Sequence, residues 1–118
     1  MERRTERCPK MKRKVELMQL LEKLYTKARE VTKTEGFVPA EVAYTIWDSL
    51  VELDDDVELK LSDEECNMMT LVISLAAALE NACQLMGAGY EKYAVSVLAL
   101  SYQLTDALSD FYDLISKH

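Results

Sequence analysis

The chain has 118 residues, of which 49% are hydrophobic and 30% are charged, and its formal net charge is −7. This balance is typical of one globular domain and excludes an intrinsically disordered chain. Glycine (3 residues) and proline (2 residues) are scarce, which disfavours a turn-rich β fold and favours a few long helices.

Apolar residues at helical spacing predict four helices, at about residues 9–35, 39–53, 62–86 and 90–116. Pro9 and Pro39 suit the first turns of the first two helices, where a missing N–H costs nothing. Gly36 and the Gly-Ala-Gly sequence at 87–89 are typical helix stops. Three aspartates follow the second helix, and because acids oppose the dipole at a helix C-terminus, we expect that helix to end before them.

The first two helices each carry one apolar stripe. The stripe of the first consists of Leu17, Leu21, Leu24, Ala28 and Val31. The stripe of the second consists of Val42, Ala43, Ile46, Trp47 and Leu50. Each stripe is wide enough to pack one face of its helix against a shared core.

The third and fourth helices are more apolar. Ser62 and Glu65 have the spacing of a capping box, which predicts the start of the third helix. Its middle, residues 68–82, is apolar on nearly every side, as in a central helix or one covered by another subunit. The fourth helix repeats apolar residues at alternating spacings of four and three, with one polar position at Ser101, and this seam consists of Tyr90, Ala94, Val97, Ser101, Leu104, Leu108, Phe111 and Ile115.

The pattern as a whole predicts an all-α fold, namely a four-helix bundle with up-down topology and one short helix. An irregular array of four helices is the alternative. We expect residues 1–8 to form a basic, flexible tail and residues 9–118 to form a single bundle domain. Met11 is a second possible start of translation.

Two segments have strong and opposite charge. The first fourteen residues hold seven bases against two acids; the bases are Arg3, Arg4, Arg7, Lys10, Lys12, Arg13 and Lys14. We interpret them as a candidate surface for nucleic-acid phosphates or for an acidic partner, which includes this chain's own acidic segment in a neighbouring subunit. Residues 52–65 hold eight acids against one base, and the candidate acidic partner surface consists of Asp54, Asp55, Asp56 and Glu58.

Apolar residues also lie off the seam of the fourth helix. They are Val95, Leu98, Tyr102 and Tyr112. Because a chain of this size buries about one stripe per helix, we interpret them as a candidate oligomer interface. The alternative is that the short second helix and the loop at 54–61 cover this face.

The sequence lacks the residue patterns of common catalytic and metal sites. The single histidine is His118, which leaves no interior imidazole for a catalytic triad or a di-iron site. Cys8, Cys66 and Cys83 have no zinc-finger spacing, and we expect Cys66 and Cys83 to be core residues. No glycine-rich phosphate loop is present. We therefore predict no cofactor and no metal.

The leading hypothesis is a non-enzymatic helical interaction protein that associates with itself as an adaptor or accessory subunit. One alternative is an accessory nucleic-acid-binding protein that uses the basic segment. Another is an acidic inhibitor or nucleic-acid mimic that uses residues 52–65. Free thiols favour the cytoplasm. The longest apolar run, residues 68–79, is shorter than a bilayer requires, so we expect no membrane partner.

Overall fold

Four helices account for most of the chain. The computed structural model describes residues 9–56 and 59–117, with side chains described from residue 13 onward. Helix α1 spans Pro9–Glu35, α2 spans Ala40–Asp54, α3 spans Asp63–Gly87 and α4 spans Ala94–Ser116; a short 3₁₀ turn, Glu91–Tyr93, precedes α4. No strand occurs in the described ranges, and the all-α prediction is confirmed. The tail at 1–8, which was expected to be flexible, lies outside the described residues.

The helices pack as a bundle. Helix α4 lies between α1 and α3, and α3 also packs on α2, whereas α1 and α2 contact each other only weakly. Arg13, near the start of α1, lies 3.1 Å from Asp56, just after α2. At the opposite end, the α1–α2 connection contacts α4 through Val38 and Ser101. Both contacts agree with an up-down path.

One connected core fills the bundle. The largest fully buried side chains come from all four helices, and they include Leu17, Leu21, Ile46, Leu50, Met69, Leu79, Leu104, Leu108, Phe111 and Ile115. The predicted stripes of α1 and α2 supply most of their share, with Val31 and Trp47 at the edge of the core. Burial of these side chains is the main source of stability, at about 25 cal/mol per Å² of apolar surface.

The helix boundaries follow local chemistry. Gly36 and Gly89 have φ angles of +89° and +109°, which only glycine adopts without strain. Ser62 and Glu65 form the predicted capping box, in which the Glu65 N–H donates to Ser62 Oγ at 3.1 Å and the Ser62 N–H donates to Glu65 Oε1 at 2.9 Å. Pro39 is extended and directly precedes α2.

Two predicted boundaries were wrong. Helix α2 includes Asp54, because one acid at a solvated C-terminus costs only a fraction of a kcal/mol, roughly 0.3–1. Helix α4 begins at Ala94 rather than Tyr90, since residues 91–93 form a 3₁₀ turn with a tighter rotation per residue. The buried seam of α4 therefore starts at Val97, and Tyr90 and Ala94 are exposed.

Ser101, the polar position in the α4 seam, joins the α1–α2 connection to α4 by a hydrogen bond. It is 1% exposed. Its Oγ accepts the buried Val38 N–H at 2.8 Å and donates to the Val97 carbonyl at 2.7 Å. The Ser101 hydroxyl is needed in the core because the buried Val38 N–H would otherwise have no acceptor, which costs free energy of folding.

We predict that Ser101→Ala lowers the free energy of unfolding by about 1–3 kcal/mol, because the Val38 N–H loses its acceptor in a buried site. Urea denaturation at fixed protein concentration measures the loss. Ser109→Ala makes the same chemical change at a half-buried position of α4 and is the control, with an expected loss of roughly 0.5 kcal/mol or less. Equal losses in the two variants would contradict the role given to Ser101.

Candidate interaction surfaces

The predicted basic and acidic segments meet within one chain. Arg13 Nη1 lies 2.8 Å from Glu16 Oε1, and Arg13 Nε lies 3.1 Å from Asp56 Oδ2. Lys14 Nζ lies 3.2 Å from Glu65 Oε1. Part of the predicted basic surface therefore contacts part of the predicted acidic segment in the folded monomer, an arrangement that we had expected only between subunits.

The remaining residues of the two charged surfaces have different positions. Asp54 and Asp55 are exposed at the end of α2, and Asp56 is half-buried. Lys10 and Lys12 lie on α1, in the part where side chains are not described. The other predicted charged residues lie outside the described ranges; they are Arg3, Arg4, Arg7 and Glu58.

Glu65 joins α1 to the start of α3, at the end of the bundle where the basic and acidic segments meet. Its side chain is 1% exposed, and it caps α3 while it accepts hydrogen bonds from the Lys14 ammonium group. A buried carboxylate needs such partners, because its desolvation is otherwise too costly. The capping box was visible in the sequence, but the partner on α1 was not, since it lies 51 residues away.

The candidate oligomer interface is exposed at three of its four positions. Val95 is 73% exposed, Leu98 is 46% exposed and Tyr102 is 60% exposed. They follow one another at i, i+3 and i+7, so they share one face of α4. We call these three residues the α4 face. Neither α2 nor the described residues of the 54–61 loop cover it, and Leu59 and Leu61 of that loop pack against the core.

Tyr112, the fourth candidate, is placed differently. It is half-buried and packs against the core. Together with Ser109 it lines a shallow cavity of about 290 Å³ opposite α1, and the lining residues from α1 are Glu22, Tyr25 and Thr26. Tyr112 thus lies in the groove between α1 and α4 of the same chain.

Sequence reasoning missed five further exposed apolar residues; two of them, Val15 and Tyr44, lie on α1 and α2, and the other three lie on α3 or just before α4. Leu71 is 48% exposed and Leu85 is 40% exposed on α3, and Tyr90 is 55% exposed before α4. A simple signal for them was present. Residues 66–105 contain three charged residues, Glu80, Glu91 and Lys92, although 30% of the whole chain is charged. A stretch this poor in charge cannot provide a fully polar outer surface for two helices.

Helix α3 is apolar along much of its length. Within the described residues, it is long and apolar enough to cross a membrane by length and composition alone, with a mean hydropathy of 1.4 in an 18-residue window that is 33% buried. The apolar run at residues 68–79, which was considered in the sequence, is shorter than this window and underestimated the apolar length of α3. Core helices of soluble bundles have the same composition, and α3 packs on α2 and α4. The absence of a membrane partner stays a prediction.

The two described cysteines differ in environment. Cys83 is buried, and its Sγ lies 3.5 Å from the Val38 carbonyl oxygen. Burial, and secondarily the nearby Glu80 carboxylate, raise the pKa of the Cys83 thiol. Cys66 is exposed at the start of α3, so the expectation that it is a core residue was wrong. In the described part of the chain, no cluster of three or more His, Cys, Asp or Glu residues could hold a metal ion.

Comparison with protein-family models, with curated proteins and with solved structures finds no match for this chain.

We predict that Lys14→Met lowers the free energy of unfolding by about 1.5–3 kcal/mol, because it removes a hydrogen-bonded charge from the buried Glu65 carboxylate. Arg13→Met is the matched control. Its ion pairs are more exposed, so we expect about 1 kcal/mol or less. Urea denaturation with and without 1 M salt distinguishes the two variants. At 1 M salt the screening length is about 3 Å, so the exposed pairs of Arg13 are weakened more than the buried pair of Lys14. An Arg13 effect that equals the Lys14 effect and persists in high salt would contradict this assignment.

We predict that Cys66 reacts with a thiol reagent much faster than Cys83 in the native protein. At a given pH the raised pKa leaves less of Cys83 as thiolate, and burial blocks access to it. With Cys8 replaced by serine, a chromogenic reagent should titrate one thiol quickly and the second only after denaturant is added. Fast reaction of both thiols in the native protein would overturn the prediction.

Proposed function

We propose that this chain is a non-enzymatic helical interaction protein, which associates with itself and serves as an adaptor or accessory subunit. The observation that carries the proposal is the α4 face, in which three large apolar side chains are 46–73% exposed on one side of one helix. Such residues scattered singly are ordinary on a protein surface, but a contiguous group is typical of an interaction site.

The surroundings of the α4 face support this function. Residues 94–105, the first three turns of α4, contain no charged residue. Centres of protein interfaces are depleted in charge and enriched in tyrosine, which buries a large area while its hydroxyl stays hydrated. Leu85 and Tyr90 extend the apolar surface toward the end of the α3–α4 hairpin, where the Tyr90 N–H donates to the Leu85 carbonyl at 3.0 Å.

The two alternative functions have weaker support. Nucleic-acid binding needs unpaired bases, but Arg13 and Lys14 already lie in ion pairs with acids of the same chain. Nucleic-acid mimicry needs a run of available acids, but Asp56 and Glu65 are the acids that those bases contact. These ion pairs are better explained as structural contacts that join α1 to the end of α2 and to the start of α3.

We predict that the protein forms a dimer or larger assembly in the micromolar range, measured by sedimentation equilibrium. Val95→Glu places a charge at the most exposed position of the α4 face and should weaken association about tenfold or more, since 1.4 kcal/mol corresponds to tenfold. Tyr44→Glu is the control, because Tyr44 is also exposed (47%) but lies on α2. A wild-type chain that stays monomeric at high micromolar concentration would refute the proposal.

A further inference from the structure

The α4 face has the spacing of a helix–helix seam. Val95, Leu98 and Tyr102 stand at i, i+3 and i+7, which is the pattern by which one helix packs against a second along its length. All three are exposed, so the position beside them is unoccupied by the described part of this chain. One partner helix of about twelve residues, roughly 18 Å at 1.5 Å per residue, would cover the uncharged stretch.

The charged residues nearest to the two ends of this uncharged stretch, residues 94–105, have opposite sign. Lys92 stands two residues before Ala94, and its Nζ lies 5.4 Å from the centroid of the Tyr93 ring. Asp106 follows the stretch and is exposed on the same side of α4 as Tyr102, four residues earlier. Glu91 lies one residue beyond Lys92, further from the middle of the stretch.

We propose that the α4 face binds the α4 face of a second copy, with the two helices antiparallel about a two-fold axis near residues 98 and 99. This inference rests on the self-association proposed above. It names the surface, the partner and the orientation.

The antiparallel orientation follows from the positions of the residues. The midpoint of Val95 and Tyr102 falls between residues 98 and 99, and the midpoint of Lys92 and Asp106 is residue 99. One axis therefore places Val95 beside the second copy's Tyr102 and Lys92 beside its Asp106. A parallel pair would instead bring Lys92 against Lys92 and Asp106 against Asp106, and like charges at such a contact are unfavourable.

The packing chemistry fits a pair of identical faces. In a two-fold interface each surface must complement itself, and a stretch without charge meets this condition at its centre. Leu98 lies at the axis next to Ala99, an exposed small residue that leaves room for the Leu98 side chain of the other copy. The β-branched Val95 and the larger Tyr102 then fill opposite ends of the same contact.

The orientation can be tested by disulfide cross-linking. Val95→Cys and Tyr102→Cys chains are prepared in a background with Cys8 and Cys66 replaced by serine, where the remaining Cys83 is buried. Disulfides form only when Cα atoms lie within about 7 Å. On mild oxidation, we expect a covalent dimer when the Val95→Cys and Tyr102→Cys chains are mixed, little from either chain alone, and a homodimer from Leu98→Cys. Gln103→Cys, exposed on another side of α4, is the negative control.

A charge exchange tests the same geometry without cysteines. Lys92→Glu and Asp106→Lys should each raise the dimer dissociation constant about fivefold, as expected for two exposed ion pairs that become repulsive, and the double variant should restore it. Lys92 and Asp106 are both exposed, so circular dichroism and thermal unfolding of these variants should match those of the wild type.

The outcomes distinguish this inference from the proposed function. Monomeric wild-type protein at high micromolar concentration would overturn both. A dimer in which Val95→Cys and Tyr102→Cys each cross-link alone, or in which neither the mixture nor Leu98→Cys cross-links, would overturn the antiparallel α4 contact and leave self-association in place. A dimer that is unaffected by the charge exchange and dissociates with Leu71→Glu would place the interface on α3.

Discussion

The amount of apolar surface that four helices can bury governs this structure. Each helix of a small bundle turns one stripe toward the core, and each of α1 and α2 leaves one large apolar side chain exposed, Val15 and Tyr44. Helices α3 and α4 have more, because residues 66–105 carry three charges in forty positions. The core takes Met69, Val72 and Leu79 from α3. The excess remains outside, and the proposed self-association uses part of it.

The two ends of the bundle are fastened by different chemistry. At one end, the buried Glu65 carboxylate joins the start of α3 to Lys14 of α1. At the other end, the neutral Ser101 hydroxyl joins the α1–α2 connection to α4. The charged end includes the acids after α2, whereas the neutral end adjoins the α4 face. The α4 face lies near Ser101, so a partner that bound it would not have to break the Lys14–Glu65 pair, and breaking buried pairs is costly.

The sequence was sufficient to predict the four helices, because periodicity, capping and glycine stops are local signals. Ser62 and Glu65 show this well, since both capping partners lie within four residues. The ion pair of Lys14 with Glu65 could not be predicted in the same way, because it depends on how α1 sits against α3. The position of Tyr112 could not be predicted for a similar reason. It lies off the α4 seam by periodicity, but the neighbouring α1 groove receives it, and the sequence contains no information on which neighbour lies there.

The exposed residues of α3 and α4 divide into two groups with different consequences. Leu85 and Tyr90 lie near the end of the hairpin and adjoin the α4 face, whereas Leu71 stands fourteen residues before Leu85, about 21 Å along α3. A face that pairs with its own copy closes after two chains, while pairing between two different faces of one chain would propagate into a filament. A symmetric α4 contact uses the first group and leaves Leu71 at a separate position. If two chains pair through the α4 face as proposed, Leu71 stays exposed at this separate position on α3.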